Sequence, residues 1–198
     1  MFVLGLTGSI GMGKSATAAM FRAEGIAVHD SDAAVHSLYR GEAANAIEAA
    51  FPGTVHEGAV DRALLADIVL SDAVALARLE ALIHPLVAGS RDAFLIDAKE
   101  KGFGLVVLDI PLLFETHSDR IADAIVLVTA PDTVQKERVR TRPGMTAERL
   151  GVILERQMPD AEKRARAHFI VDTGRGFAAA EQQVRGILRA LAGAQNKV

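Results

Sequence analysis

The sequence predicts an α/β fold, a five-stranded parallel sheet covered by helices on both faces. Three observations carry this. A glycine-rich turn, Gly8-Ser9-Ile10-Gly11-Met12-Gly13-Lys14-Ser15, stands between a short apolar run and a helix-forming segment. Five short apolar runs, each the length of a buried strand, alternate with helical sequence. Carboxylates follow three of those runs, at Asp30 and Asp32, at Asp109 and at Asp172, on the edge of a parallel sheet where ligands bind.

The glycine-rich turn fits G-x-x-x-x-G-K-[ST], the P-loop pattern. Gly8, Gly11 and Gly13 allow a tight turn that brings backbone N–H groups close to phosphate oxygens. Lys14 reaches the β- and γ-phosphates of a bound triphosphate, and the Ser15 hydroxyl is placed to ligate Mg²⁺. Phe2 to Leu6 forms the strand before the loop. Ser15 to Glu24 is rich in helix formers, with Gly25 as its stop. That helix also points its positive dipole end at the phosphates.

At 198 residues the chain is long enough for a real core and reads as a single domain with an inserted subdomain. A net charge of −3 gives no sign of general nucleic-acid binding. No stretch approaches the ~18 consecutive apolar residues of a membrane span. The N-terminus reads as a strand rather than a signal peptide, with the first Lys inside the P-loop. The chain has no cysteine, which removes disulfide and thiolate chemistry and fits a cytoplasmic protein. Its six histidines show no zinc-binding pairing.

In chain order, Ile26 to His29 is a second strand, followed by Asp30-Ser31-Asp32. One of these carboxylates caps the helix that begins near Ala33 and the other is free to act as a base or metal-shell group; Asp32 is the better functional candidate. From Ala33 to Lys101 the sequence is helical, with apolar residues at three- and four-residue spacing in Ala43–Phe51, Asp61–Leu70 and Asp72–Ile83. So long a stretch without a clear strand exceeds an ordinary crossover, so residues 33–101 read as a helical insertion able to hold a second substrate. Inside it, His84 precedes Pro85, which is placed to end its helix.

Leu105 to Ile110 is the clearest buried strand, and Asp109 at its carboxyl end is placed as a Walker B-type carboxylate. Glu115 beyond it is either a second polar group of the site or a loop charge. Ala124 to Val128 and Phe169 to Val171 complete the sheet. Between these two strands, residues 136–166 are helical and arginine-rich, interrupted at Pro143-Gly144. Such arginines either close over a triphosphate as a lid or form a solvated face with i,i+4 pairs. Arg138 and Arg142, four apart and so on one helix face, are the lid candidates. The last helix, Phe177 to Leu191, reads as packing and the tail from Gly193 as frayed.

Beyond the P-loop, the chain resembles the dephospho-CoA kinase family over nearly its whole length. The resemblance runs from Gly5 to Ser15 through Asp30-Ser31-Asp32, Gly58-x-x-Asp61-Arg62-x-x-Leu65 and Leu79-Glu80-x-x-x-His84-Pro85. It continues through Asp109-Ile110-Pro111-Leu112-Leu113-Phe114-Glu115, Gln135-x-x-Arg138-x-x-x-Arg142 and Arg156-Gln157-Met158-Pro159. The His-Pro and Asp-x-Pro-Leu-Leu-Phe-Glu pieces in this order carry most of the specificity. Departures are Ala16 for the usual Thr, Ser31 where Ala is frequent, His168 for the usual Asp, and Thr173 where Asn is common, so an adenine contact there falls to the backbone rather than to an Asn side chain.

The resemblance implies a P-loop NTPase three-layer sandwich that transfers the γ-phosphoryl group of ATP to the ribose 3′-hydroxyl of dephospho-CoA with Mg²⁺. It implies nucleotide contacts from Gly8, Gly11, Met12, Gly13, Lys14, Ser15 and Ala16. It places Asp32, His84, Asp109 and Leu113 toward the acceptor, Ser15 and Asp109 toward the metal, and Lys14, Asp32, Arg138 and Arg142 in catalysis. Its partner is a small molecule, with no nucleic acid or membrane, and the chain is a monomer or small homo-oligomer. The alternatives are a P-loop kinase of another small acceptor, and a GTP-dependent switch or non-catalytic nucleotide-binding module; the switch should carry Asn-Lys-x-Asp, whereas here Asn196-Lys197 is followed by Val198.

Overall fold

In a computed structural model, residues 1–142 and 144–195 are described. Pro143, half of the expected break in the arginine-rich stretch, and Asn196-Lys197-Val198 lie outside the described residues. The elements are β1 (Phe2–Thr7), α1 (Lys14–Ala23), β2 (Ala27–Asp30), α2 (Ser31–Leu38), α3 (Ala44–Ala50), β3 (Val55–His56), β4 (Ala59–Val60), α4 (Arg62–Ser71) and α5 (Ala73–Glu100). After these come β5 (Leu105–Asp109), a 3-10 turn (Ser118–Ile121), β6 (Ala124–Thr129), α6 (Asp132–Arg140), α7 (Ala147–Glu155), α8 (Asp160–Arg166), β7 (Phe169–Asp172) and α9 (Phe177–Gln195). The chain forms two units, residues Met1–His29 with Ala98–Val198, and Asp30–Asp97.

The first unit is built on a five-stranded sheet of order β2-β5-β1-β6-β7. β1 runs parallel to β5 and β6, and β6 parallel to β7. Leu6 lies opposite Asp109 and Thr7 opposite Leu127, so the chain leaving β1 emerges beside the carboxyl ends of both neighbours. β1 leads toward the β2 edge and β6 toward the β7 edge. Their carboxyl ends therefore flank the point where connections diverge, the crevice in which open α/β sheets bind ligands.

Strand alternation divides the core between the two faces of the sheet. Leu4, Leu6, Val126 and Val128 pack with Ala18 and Phe21 of α1 and with Ala180, Val184, Ile187 and Leu191 of α9. On the other face Ile125 packs with Leu113 and Phe114. Leu113, expected toward the acceptor, is fully buried there and its side chain is engaged in the core. α1 ends as its sequence predicts, with Gly25 in the left-handed region at φ 81° and its N–H donating to the Arg22 carbonyl. α9 continues past the expected fray point at Gly193 to Gln195.

The second unit has its own core, in which Ile47 of α3 and Phe51 at its C-cap, Leu65 and Val69 of α4, and Leu79 and Ile83 of α5 are buried. A two-stranded ribbon, β3 with β4, was not expected; its strands are too short to show a period. Its turn uses Glu57 at φ 52° and Gly58 at φ 78°. Nearby, Glu48 accepts from the N–H of Gly53 at 2.8 Å and of Val55 at 2.9 Å. Those donors, Gly53 first, hold its carboxyl below the usual range.

Pro85 does not end its helix: it lies inside α5, which is 28 residues long and runs on to Glu100. A proline deletes one backbone hydrogen bond, but Leu79, Leu82, Ile83, Leu86 and Val87 keep the i, i+3, i+4 stripe on the core across it. Packing on both sides outweighs the lost bond. α5 also has the length and hydropathy of a membrane span, yet this stripe is occupied within the unit's own core.

Candidate active site

The phosphate-binding turn is positioned by its backbone. Gly11 and Gly13 take φ of 78° and 93°, conformations that favour glycine, and Gly13 is the N-cap of α1. Gly8 has a different reason for being glycine. A Cβ there would stand 2.6 Å from the Val128 carbonyl oxygen, so the loop could not pass this close to β6 with any side chain. Met12 is buried, and its sulfur accepts from the Ala130 N–H at 3.1 Å. Its side chain is an anchor, and its backbone is engaged as well, the N–H donating to the Ser9 carbonyl at 3.1 Å and the carbonyl accepting from the Thr173 hydroxyl at 2.7 Å.

Lys14 begins α1, and its ammonium meets Oδ1 of Asp109 at 2.5 Å. The register that sets Asp109 beside Leu6 puts the carboxylate within reach. Asp109 is 1% exposed. Ser15, one residue on, is exposed in the first turn of α1. Among the described residues no three His, Asp or Glu groups converge on a metal position. Mg²⁺ that serves a nucleotide takes one or two protein oxygens and completes its shell with phosphate and water. A free hydroxyl and a carboxylate at the turn fit that donor set.

The arginine-rich stretch forms three helices, and its arginines divide by use. Arg138 of α6 donates to the hydroxyl of Thr173 at 2.8 Å, to the Thr173 carbonyl at 3.0 Å and to the Gly11 carbonyl at 3.4 Å. Arg164 pairs with Asp160 at 2.6 Å in the i,i+4 manner, and Arg166 with Asp119 at 3.0 Å while lying over the Phe114 ring. Arg140, Arg142 and Arg156 have no side-chain hydrogen bond or ion pair among the described residues. The expectation that Arg138 and Arg142 share a helix face fails, because α6 stops at Arg140 and Arg142 follows its C-cap. The spacing of four has meaning only where the helix continues.

Several site-building residues have a role that the sequence leaves unassigned or open. Gln135, 5% exposed, donates to the Ile10 carbonyl at 2.7 Å, and Gln157 accepts from the Ile10 N–H at 3.2 Å. The two glutamines brace the turn from α6 and from the segment after α7. Glu115 accepts from the Met158 N–H at 2.7 Å and faces Lys163, which is fully buried, at 2.9 Å. Burial pushes the Glu115 carboxyl up, but Lys163 and backbone donors outweigh it and hold the group below the usual range. Glu115 is thus a tie between the β5–β6 connection and α8. A pocket of about 150 Å³ is lined by Gly13, Ala16, Arg138, Thr173, Gly176 and Phe177. Phe177, read as packing from the sequence, is 71% exposed beside it.

Asp30, Asp32 and His84 belong to the second unit. The Asp30 carboxylate accepts from the Ala33 N–H at 3.0 Å and caps α2. Asp32 sits exposed in the first turn of that helix, with no polar partner for its side chain among the described residues. His84 is exposed on α5.

Residues 2–178 match the family model described as CoaE, dephospho-CoA kinase. A protein of Mesorhizobium japonicum named dephospho-CoA kinase is 58% identical over 193 residues, 98% of each chain. The crystal structure of TT1252 from Thermus thermophilus superposes with a TM-score of 0.83 at 34% identity, over 96% of both chains. A dephospho-CoA kinase structure from Campylobacter jejuni shares the fold, with a TM-score of 0.66 at 22% identity over 95% of this chain and 96% of that one.

Proposed function

The chain belongs to the dephospho-CoA kinase family, and on that premise we propose that it transfers the γ-phosphoryl group of ATP to the ribose 3′-hydroxyl of dephospho-CoA, giving coenzyme A and ADP. The observation that carries the reading is the phosphate turn itself, with Lys14 standing on Asp109 at the crevice of the sheet.

Phosphoryl transfer asks the protein for position and charge rather than covalent chemistry. The turn from Gly8 to Gly13 offers backbone N–H groups to the β- and γ-phosphates. Lys14 leaves Asp109 to add a point charge there. Ser15 and Asp109 would hold Mg²⁺, which would supply charge neutralisation at the phosphates. Ala16 and Phe177 offer apolar surface to the adenine, and Arg138 a guanidinium plane on which it stacks. Arg142, uncommitted beyond α6, is available to the migrating phosphoryl group as residues 136–166 close over it.

The helical insertion, about residues 33–101, takes the acceptor, with His84 as a contact. Asp32 accepts or orients the proton of the attacking hydroxyl, and its lack of any structural duty supports this role. The acceptor oxygen forms a bond to the γ-phosphorus, the bond to the β,γ-bridging oxygen breaks, and ADP leaves. We place the enzyme in the cytoplasm as a monomer or small homo-oligomer, acting on a small molecule with neither nucleic acid nor membrane as partner; the cysteine-free sequence supports that compartment.

The test is ADP release from ATP and Mg²⁺ with dephospho-CoA, adenosine, AMP or no acceptor. Release that depends on dephospho-CoA, with coenzyme A as product, is expected. Release that depends on adenosine or AMP instead would keep the P-loop kinase and discard the acceptor.

A further inference from the structure

Thr173 follows β7 and is 7% exposed. Its hydroxyl is used in both directions. It donates to the Met12 carbonyl at 2.7 Å, with the Thr129 carbonyl a longer alternative at 3.3 Å, and it accepts from Nη1 of Arg138 at 2.8 Å. The Thr173 carbonyl takes the other guanidinium nitrogen at 3.0 Å. The residue is itself held to β6, its N–H donating to the Thr129 carbonyl at 2.9 Å. One hydroxyl proton and one lone pair thus join the phosphate turn to an arginine from a different helix.

The direction of the Met12 bond has a consequence. A trans peptide carries its C=O and the following N–H on opposite sides. With the Met12 carbonyl tied back to Thr173, the N–H of Gly13 faces away from Thr173. Freed from that tie, the Met12–Gly13 peptide has two glycine-permitted orientations, and one of them withdraws this donor. Behind Gly13 there is no slack, since a Cβ there would stand 3.1 Å from both Oγ1 and Cγ2 of Thr173.

We propose that Thr173 is a positioning residue for phosphoryl transfer: its hydroxyl holds the Gly13 N–H outward and fixes Arg138 relative to the phosphate turn. The proposal rests on reading that turn and Arg138 as the ATP site. Thr173 touches no phosphate and acts through Met12, Gly13 and Arg138.

The experiment compares Thr173→Val, which keeps the shape and removes the hydroxyl, with Thr173→Ser, which keeps the hydroxyl. The Val variant is expected to bind ATP–Mg²⁺ about tenfold more weakly by titration calorimetry without acceptor, the scale of one hydrogen bond to a charged group. This arm stands even if dephospho-CoA proves not to be the acceptor. In turnover, kcat falls and the KM for ATP rises by about tenfold, while the KM for dephospho-CoA stays within about twofold. The Ser variant stays within about threefold of wild type throughout. Wild-type ATP affinity in the Val variant, equal losses in Val and Ser, or an equal rise in both KM values would each overturn the proposal. If Thr173→Val does not fold, Thr173→Cys takes its place under the same criteria.

Discussion

Removing the Lys14 ammonium tests the role of its ion pair with Asp109 apart from catalysis. At 2.5 Å the attraction is about 7 kcal/mol at an effective dielectric near 20. Desolvation of both groups offsets most of this, since the side chains are only 12% and 2% exposed. What counts on mutation is the orphaned charge. Lys14→Ala leaves the Asp109 carboxylate buried without this cation, a change that costs about 3–5 kcal/mol when a buried pair is broken. Asp109 has a further partner, so the lower end applies. For a chain of this size about 3 kcal/mol lowers Tm by roughly 6–12 °C.

Adding Asp109→Asn to Lys14→Ala removes the orphaned charge and recovers at least half of the loss. Transfer falls by roughly 10²-fold or more in both variants, because the positioning charge on the phosphates is gone. The assays are calorimetric Tm without nucleotide and ADP release with dephospho-CoA. A Lys14→Ala protein that melts with the wild type, or a double variant no more stable than the single one, would refute the orphaned-charge argument. Wild-type turnover in either variant would refute the assignment of Lys14.

Three further outcomes are expected. Asp32→Asn keeps ATP affinity by calorimetry but loses roughly 10²-fold or more in kcat, the scale of acid–base and positioning effects; a loss of only a few-fold moves the proton-handling role elsewhere. Glu115→Gln lowers Tm at neutral pH because Lys163 stays buried without a counter-charge. The folded-state carboxyl lies below its unperturbed 4.5, so its contribution is full above that pH and fades as pH falls through the folded value; a gap between variant and wild type that is equal at pH 3 and pH 7 contradicts this. Pro85→Ala restores a backbone hydrogen bond inside α5 and is expected to raise stability by about 1–3 kcal/mol in urea unfolding; destabilisation would show that the proline ring itself is needed.

Legibility in the sequence followed the range of the interaction. Each of the five sheet strands overlaps the apolar run that predicts it, most plainly the inner strands β1, β5 and β6, because a strand buried on both faces must be apolar throughout. The β3–β4 ribbon carries no such pattern, since two residues per strand have no period. Pro85 misled because its local effect is to break helices, whereas the stripe from Leu79 to Val87 that holds this one together is a property of the packed unit. Arg142 misled for the converse reason: a spacing of four makes one face only while the helix continues, and α6 ends at Arg140. Gln135 and Gln157 stood in the sequence only as pieces of the family pattern and Thr173 only as a departure from it, because the turn residues they hold, Ile10 and Met12, lie more than a hundred residues away.

The sequence by itself determined the phosphate turn, the strand and helix that frame it, and the carboxylates at the strand ends. Glycine torsions, apolar runs and helix stops act within a few residues, so local order is enough to read them. Only the tertiary structure decided that Asp30 caps while Asp32 stays uncommitted, that Leu113 goes to the core, that Arg138 is fastened to Thr173, and that Glu115 is a structural tie to Lys163. Those outcomes depend on which distant groups arrive within about 3 Å, the reach of a hydrogen bond, and only the packed sheet and helices bring them there.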